Sequence, residues 1–75
     1  MAARKRQQRD VELDYPRHQL VKKLRRLADC LEQGKPFRIQ VAGVRVTVPK
    51  EAHANIEHEV GARDEELEFQ LLWRV

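Results

Sequence analysis

The side chains able to do covalent or metal chemistry are few in this chain of 75 residues. His53 and His58 are five apart in a stretch that alternates like a strand, so they point to opposite faces and do not chelate one ion together. His58 as a general base would need an acid patterned beside it, and the alternation places none there. Cys30 is the only cysteine, which excludes an internal disulfide and a thiolate cluster for zinc. It reads as a partly buried structural thiol at the margin of a helix stripe. There is no serine, and Thr47 falls on the polar side of a strand. Neither a nucleophile elbow, a phosphate-binding glycine loop nor a metal-ligand spacing occurs. The expectation is a protein that is not an enzyme, with no cofactor, no metal and no small-molecule substrate.

Charge is the next source of function. Residues 1–50 carry 13 Lys and Arg against 5 Asp and Glu, a balance of +8, while residues 51–75 carry 2 against 7, a balance of −5. The two halves are electrically opposite, which suits an acidic partner for the first half or attraction between halves, within or between molecules. Residues 1–9 form a basic arm with almost nothing to bury, expected to be disordered. On the helix that follows, Arg17, Lys22, Lys23, Arg25 and Arg26 gather toward the amino end, with Asp29 and Glu32 toward the carboxyl end. That order opposes the helix dipole by a few tenths of a kcal/mol each. One reading is an anion site for nucleic-acid phosphates built from Arg4, Lys5, Arg6, Arg9, Lys22, Lys23, Arg25 and Arg26. The other is a solvated face, in which Arg25 and Arg26 pair with Asp29 three or four residues on, and a solubilising tail. No row of exposed aromatics is patterned for stacking bases.

The elements that position these residues follow from apolar periodicity. Val11, Leu13 and Tyr15 alternate with acids and predict a short edge strand. Leu20, Val21, Leu24, Leu27, Ala28 and Leu31 make one stripe of an amphipathic helix over residues 16–33. Pro16 suits its first turn, Asp14 is the expected cap, and Gly34 is placed to end it. Phe37, Ile39 and Val41, then Val44, Val46 and Val48, predict a hairpin around Ala42 and Gly43 that pairs Val41 with Val44 and Phe37 with Val48. Ala54, Ile56, His58 and Val60 share one face of a third strand. Leu67, Phe69, Leu71, Trp73 and Val75 share one face of a fourth. Joining Val60 to Leu67 puts His58 opposite Phe69 and Ile56 opposite Leu71.

The predicted fold class is α+β: one helix on an antiparallel four-stranded meander, with Val11 to Tyr15 at a sheet edge, as a single domain over residues 10–75. The chain is near the lower size limit for a core that holds without metal or disulfide. No apolar run is long enough to cross a membrane, there is no signal-peptide stretch, and the lone cysteine suits a reducing compartment, so the expected location is the cytoplasm.

The leucine-rich helix ending LADCLEQGK, the hairpin FRIQVAGVRVTVP, the strand NIEHE and the acidic turn into ELEFQLLW together resemble the amphi-Trp domain family, over roughly residues 11–73. The terminal amphipathic strand ending in tryptophan is the naming feature. The resemblance implies a small, mostly stand-alone prokaryotic domain without an established biochemical role and with no catalytic residues to carry over. Two features depart from it: Tyr15 stands where a serine cap is expected, and Arg74 and Val75 run past the tryptophan.

A covering problem points to partners. A helix about 10 Å across covers only two or three strands spaced about 4.8 Å apart, yet all the strands are patterned with an apolar face. Phe69, Leu71 and Trp73 lie nearest the uncovered edge, and Leu72 interrupts the opposite polar row between Gln70 and Arg74. These five, Phe69, Leu71, Leu72, Trp73 and Arg74, are the candidate protein-interaction residues, for self-association or another protein. The competing expectation is a monomer whose core is closed by sheet twist and the arm.

Overall fold

The computed structural model describes residues 9–75. Helix α1, Arg17–Gln33, carries the predicted stripe. Its start is set by Pro16, whose extended ψ of 146° makes it the cap; its carbonyl accepts the amides of Gln19 at 3.0 Å and Leu20 at 3.1 Å. No side chain caps this end, so the expected role of Asp14 is corrected. A residue before proline is kept out of helical geometry, which excludes Tyr15 and leaves Asp14 two positions beyond the cap, out of reach of the first-turn amides. At the other end Gly34 takes a left-handed φ of 65°. Its amide donates to the Leu31 carbonyl at 3.2 Å, and Lys35 donates to Cys30 at 2.9 Å, the paired closure that a glycine in this geometry permits.

Strands β1, Phe37–Val41, and β2, Val44–Val48, pair in the predicted register, Phe37 with Val48 and Val41 with Val44. Gly43 has φ 77° as the turn demands, and Ala42 also has positive φ, at 49°. Two consecutive positive φ values match the right-handed twist of the flanking strands. Among the described residues only Phe37 and Val48 are buried, with 5% and 6% of their surface exposed. The helix packs on β1 above this pair. The Arg26 guanidinium lies 4.9 Å from the centre of the Phe37 ring and donates to the Arg38 carbonyl at 3.2 Å.

Strands β3, His53–Val60, and β4, Glu65–Leu72, form a second antiparallel hairpin. Here the predicted register is corrected by two: Val60 pairs with Glu65, His58 with Leu67, Ile56 with Phe69 and Ala54 with Leu71. The Gly61 amide donates to the Asp64 carbonyl at 2.8 Å, so the turn closes over Gly61 to Asp64 and the ladder runs up to it. A shift of two leaves every side chain on its predicted face, because the side-chain period is two.

The four strands do not make one sheet. They form two separate two-stranded sheets, β1 with β2 and β3 with β4, which corrects the single meander while leaving the class α+β. The reason lies in the connection. Ala52 donates to the Pro49 carbonyl at 3.1 Å, making Lys50 and Glu51 the two residues of a tight turn. A ladder continued from that turn would set Val48 opposite His53 and Val46 opposite Asn55, apolar row against polar row. Slipping by one residue to repair this is incompatible with a two-residue turn. Val11 to Tyr15 is also not a strand. Glu12 lies close enough to Glu66 on β4 for their like charges to interact, which opposes pairing at that edge.

The result is an open protomer. Its extents are 48 × 35 × 24 Å and its radius of gyration is 14.8 Å, against about 11 Å for a closed domain of this length.

Candidate functional site

The second hairpin presents its apolar face to solvent. Ile56 and Leu67 are each 63% exposed, and Phe69 and Val60 each 68%. These residues come from β3 and β4, whose register aligns them in one patch. A second uncovered apolar surface is the stripe of α1, where Leu20, Leu24 and Leu31 remain nearly half exposed. The helix reaches β1 but has no comparable packing against β3 or β4. Between the hairpins lies an open cleft of about 830 Å³, lined by Val41, Val44 and Val46 from the first and Phe69, Leu71, Leu72 and Trp73 from the end of the second, with Val11 alongside.

The five predicted interaction residues divide. Phe69 belongs to the exposed patch, Leu71 is half-buried in the cleft, and Leu72 lies on the opposite face of β4, paired with His53. Trp73, just beyond β4, is 36% exposed, and Arg74 is exposed. Sequence reasoning did not place Ile56, Val60 and Leu67 in the site, because the alternation that marks them is the same whether a face is covered or not. On the polar face Gln70 donates to Glu68 at 3.3 Å, and the buried Asn55 Oδ1 has no hydrogen-bond partner.

That polar face is strongly acidic. Carboxylate oxygens of Glu59, Glu66 and Glu68 lie within 4.8 Å of one another. The Glu66 carboxyl is held above the usual carboxylate range, first by the charge of Glu59, then by that of Glu68, with smaller contributions from desolvation and from Glu12. These are the residues most able to offer oxygens to a hard cation, and they stand exposed or half-buried on the strand surface. Among the described residues no lysine or arginine pairs with them; the ion pair present is His58 Nε2 with Glu65 Oε2, at 2.7 Å. This corrects the expectation that no acid lies beside His58, and it follows from the register, which places Glu65 diagonal to His58 rather than beyond reach. Both partners are more than half exposed. Thr47 belongs to β2 and Cys30 to α1. His53 and His58 do point to opposite faces.

Of the predicted phosphate contacts, Arg4, Lys5 and Arg6 lie outside the described residues, as does the expected disordered arm up to residue 8. Arg9 bonds through its guanidinium to the Val41 carbonyl. Lys23 stands 5.0 Å over the Tyr15 ring, and Arg26 is held on Phe37. Lys22 and Arg25 face solvent beside Gln19 in a shallow hollow. Two of the four helix cations are therefore engaged by the fold. No helix among the described residues is long and apolar enough to cross a membrane.

Compared with family models, with curated proteins and with solved structures, the chain has no match.

Proposed function

We propose that this chain is a non-catalytic interaction module of amphi-Trp type, acting in a reducing compartment, which self-associates or docks a protein partner through the sheet face of its second hairpin. The carrying observation is the patch of Ile56, Val60, Leu67 and Phe69, each with well over half its surface in water although all four belong to regular strands. Covering an apolar side chain of this size is worth about 1.5–3 kcal/mol. Three or four such residues in one patch supply a binding surface, where scattered single ones would not. The missing single sheet belongs to the same reading, since the strands are patterned for a four-stranded layer that association would complete.

The test is a Phe69→Glu, Leu67→Glu pair in the full chain. Both positions are exposed in the protomer, so the helix and first hairpin persist, while self-association and capture of any protein partner are lost. A doubly substituted chain that keeps both would end the reading.

A second reading, sequence-independent binding of nucleic-acid phosphates by the arm and the helix face, is favoured by the basic first half and by the outward Lys22 and Arg25. It expects complexes in gel shifts at low salt that weaken steeply between about 50 and 200 mM. Absence of any complex at low salt removes it.

A further inference from the structure

Three features of the protomer bear on what covers its apolar patch. The first is surface. The chain exposes 7391 Å², whereas a folded monomer of 8.9 kDa exposes about 4,800 Å². Two copies hiding most of that excess would bury an area typical of obligate dimers, about 2,000–5,000 Å².

The second feature is self-complementarity. The chain holds two uncovered apolar surfaces that its own pattern intends for each other, the stripe of α1 with Leu20, Leu24 and Leu31, and the hairpin face with Ile56, Leu67 and Phe69. The two-residue turn at Lys50 and Glu51 prevents their union within one chain, because β3 would join β2 with its faces reversed. A hairpin arriving from another molecule is not bound by that turn. It can lie along β2 in a register that puts both apolar rows on the helix side.

The third is charge. On the polar side of the first hairpin stand Arg38 and Arg45, and on that of the second Glu57, Glu59, Glu66 and Glu68. None of these forms an ion pair among the described residues. Setting β3 of one copy beside β2 of another brings the two rows onto one surface with opposite sign.

From these, and resting on the self-association arm of the proposed function, we infer that the occupant of the exposed face is a second copy of this chain: a two-fold dimer in which each protomer lays its β3–β4 hairpin on the α1 stripe and β2 edge of the other. Exchange of an identical element is a low-cost route to a symmetric dimer, since the contacts are those a closed monomer would have used.

Sedimentation of the full chain at tens of micromolar should give twice the protomer mass of 8.9 kDa. In a mixture of labelled and unlabelled chains, isotope-filtered NMR should show contacts between the Phe69 ring of one molecule and the Leu20 or Leu24 methyls of the other. Inserting one glycine between Lys50 and Glu51 lets a two-residue Lys50–Gly turn set Pro49 opposite Glu51, and so Val46 opposite Ala54 and Val44 opposite Ile56, which restores matching faces within a chain; the variant should sediment at half the wild-type mass with its helix signal intact. A wild-type monomer overturns the inference while leaving docking of a different protein to the Phe69→Glu capture experiment. A dimer lacking the filtered contacts also overturns it, whether or not the insertion variant folds, as does an insertion variant that folds and stays dimeric.

Discussion

Phe37 and Val48 stand opposite each other across the first hairpin and, among the described residues, are the two side chains hidden from water. The other described apolar side chains keep contact with solvent, so the described core is small. Replacing a buried phenylalanine by alanine costs about 3–5 kcal/mol. Domains of this length have total stabilities of roughly 4–11 kcal/mol. Phe37→Ala should therefore remove a large share of the stability, about 3–5 kcal/mol in urea unfolding followed by circular dichroism, whereas Phe69→Ala, at an exposed aromatic, should leave the helix signal of the protomer unchanged.

Ala42 occupies a left-handed conformation at φ 49° beside Gly43 at 77°. An L side chain there costs about 1–2 kcal/mol, part of which glycine returns as lost chain entropy. Ala42→Gly should raise stability by about 1 kcal/mol, equivalent to roughly 4–8 °C in thermal midpoint for a domain this small. A scanning calorimeter reads it directly, and an unchanged or lower midpoint contradicts the strain argument.

Glu66 sits against Glu59 and Glu68, with Glu12 nearby, and its carboxyl titrates above the ordinary range. The folded chain therefore holds this proton more tightly than the unfolded chain does. Stability is gained as pH falls through the raised value and is lost again as pH climbs above it. Glu66→Gln should stabilise the second hairpin at neutral pH, with a gain that shrinks in mildly acidic buffer as the wild-type carboxyl takes up its proton. Urea titrations at the two pH values should show that convergence; a pH-independent difference would point to a cause other than charge.

Arg26 serves the fold through two contacts, its guanidinium over Phe37 and its bond to the Arg38 carbonyl. Arg26→Ala should cost about 1 kcal/mol in urea unfolding, while Lys22→Ala and Arg25→Ala, at outward positions, should stay within about 0.5 kcal/mol. Any test of phosphate binding is therefore cleaner with Lys22 and Arg25 neutralised than with Arg26.

Local patterns were legible in the sequence where one alternative is much worse than the rest. The helix stripe, the glycine ending it at Gly34 and the register of Val41 with Val44 all follow from apolar spacing and a turn residue. The register of the second hairpin did not follow, because moving Ile56 from Leu71 to Phe69 changes no face and so leaves no mark in the pattern. The separation of the sheets was hidden for a related reason. Each strand alternates correctly by itself, and the conflict arises only when the two residues of the Lys50–Glu51 turn fix the parity between strands. For the site, the outward cations were visible as composition, but their engagement by Tyr15 and Phe37 depends on where the helix sits on β1.

The turn closed by the bond from Ala52 to Pro49 joins two hairpins whose ladders are each closed locally. Short loops cost little entropy to close, and hairpins of this kind form in about 1–10 μs. The second hairpin gains little from the helix and first hairpin once formed, and a two-stranded ribbon by itself is marginal in water. Its amide protons should accordingly exchange at a free energy of their own, well below that of β1 and α1, so that a single protomer unfolds in two cooperative units rather than one.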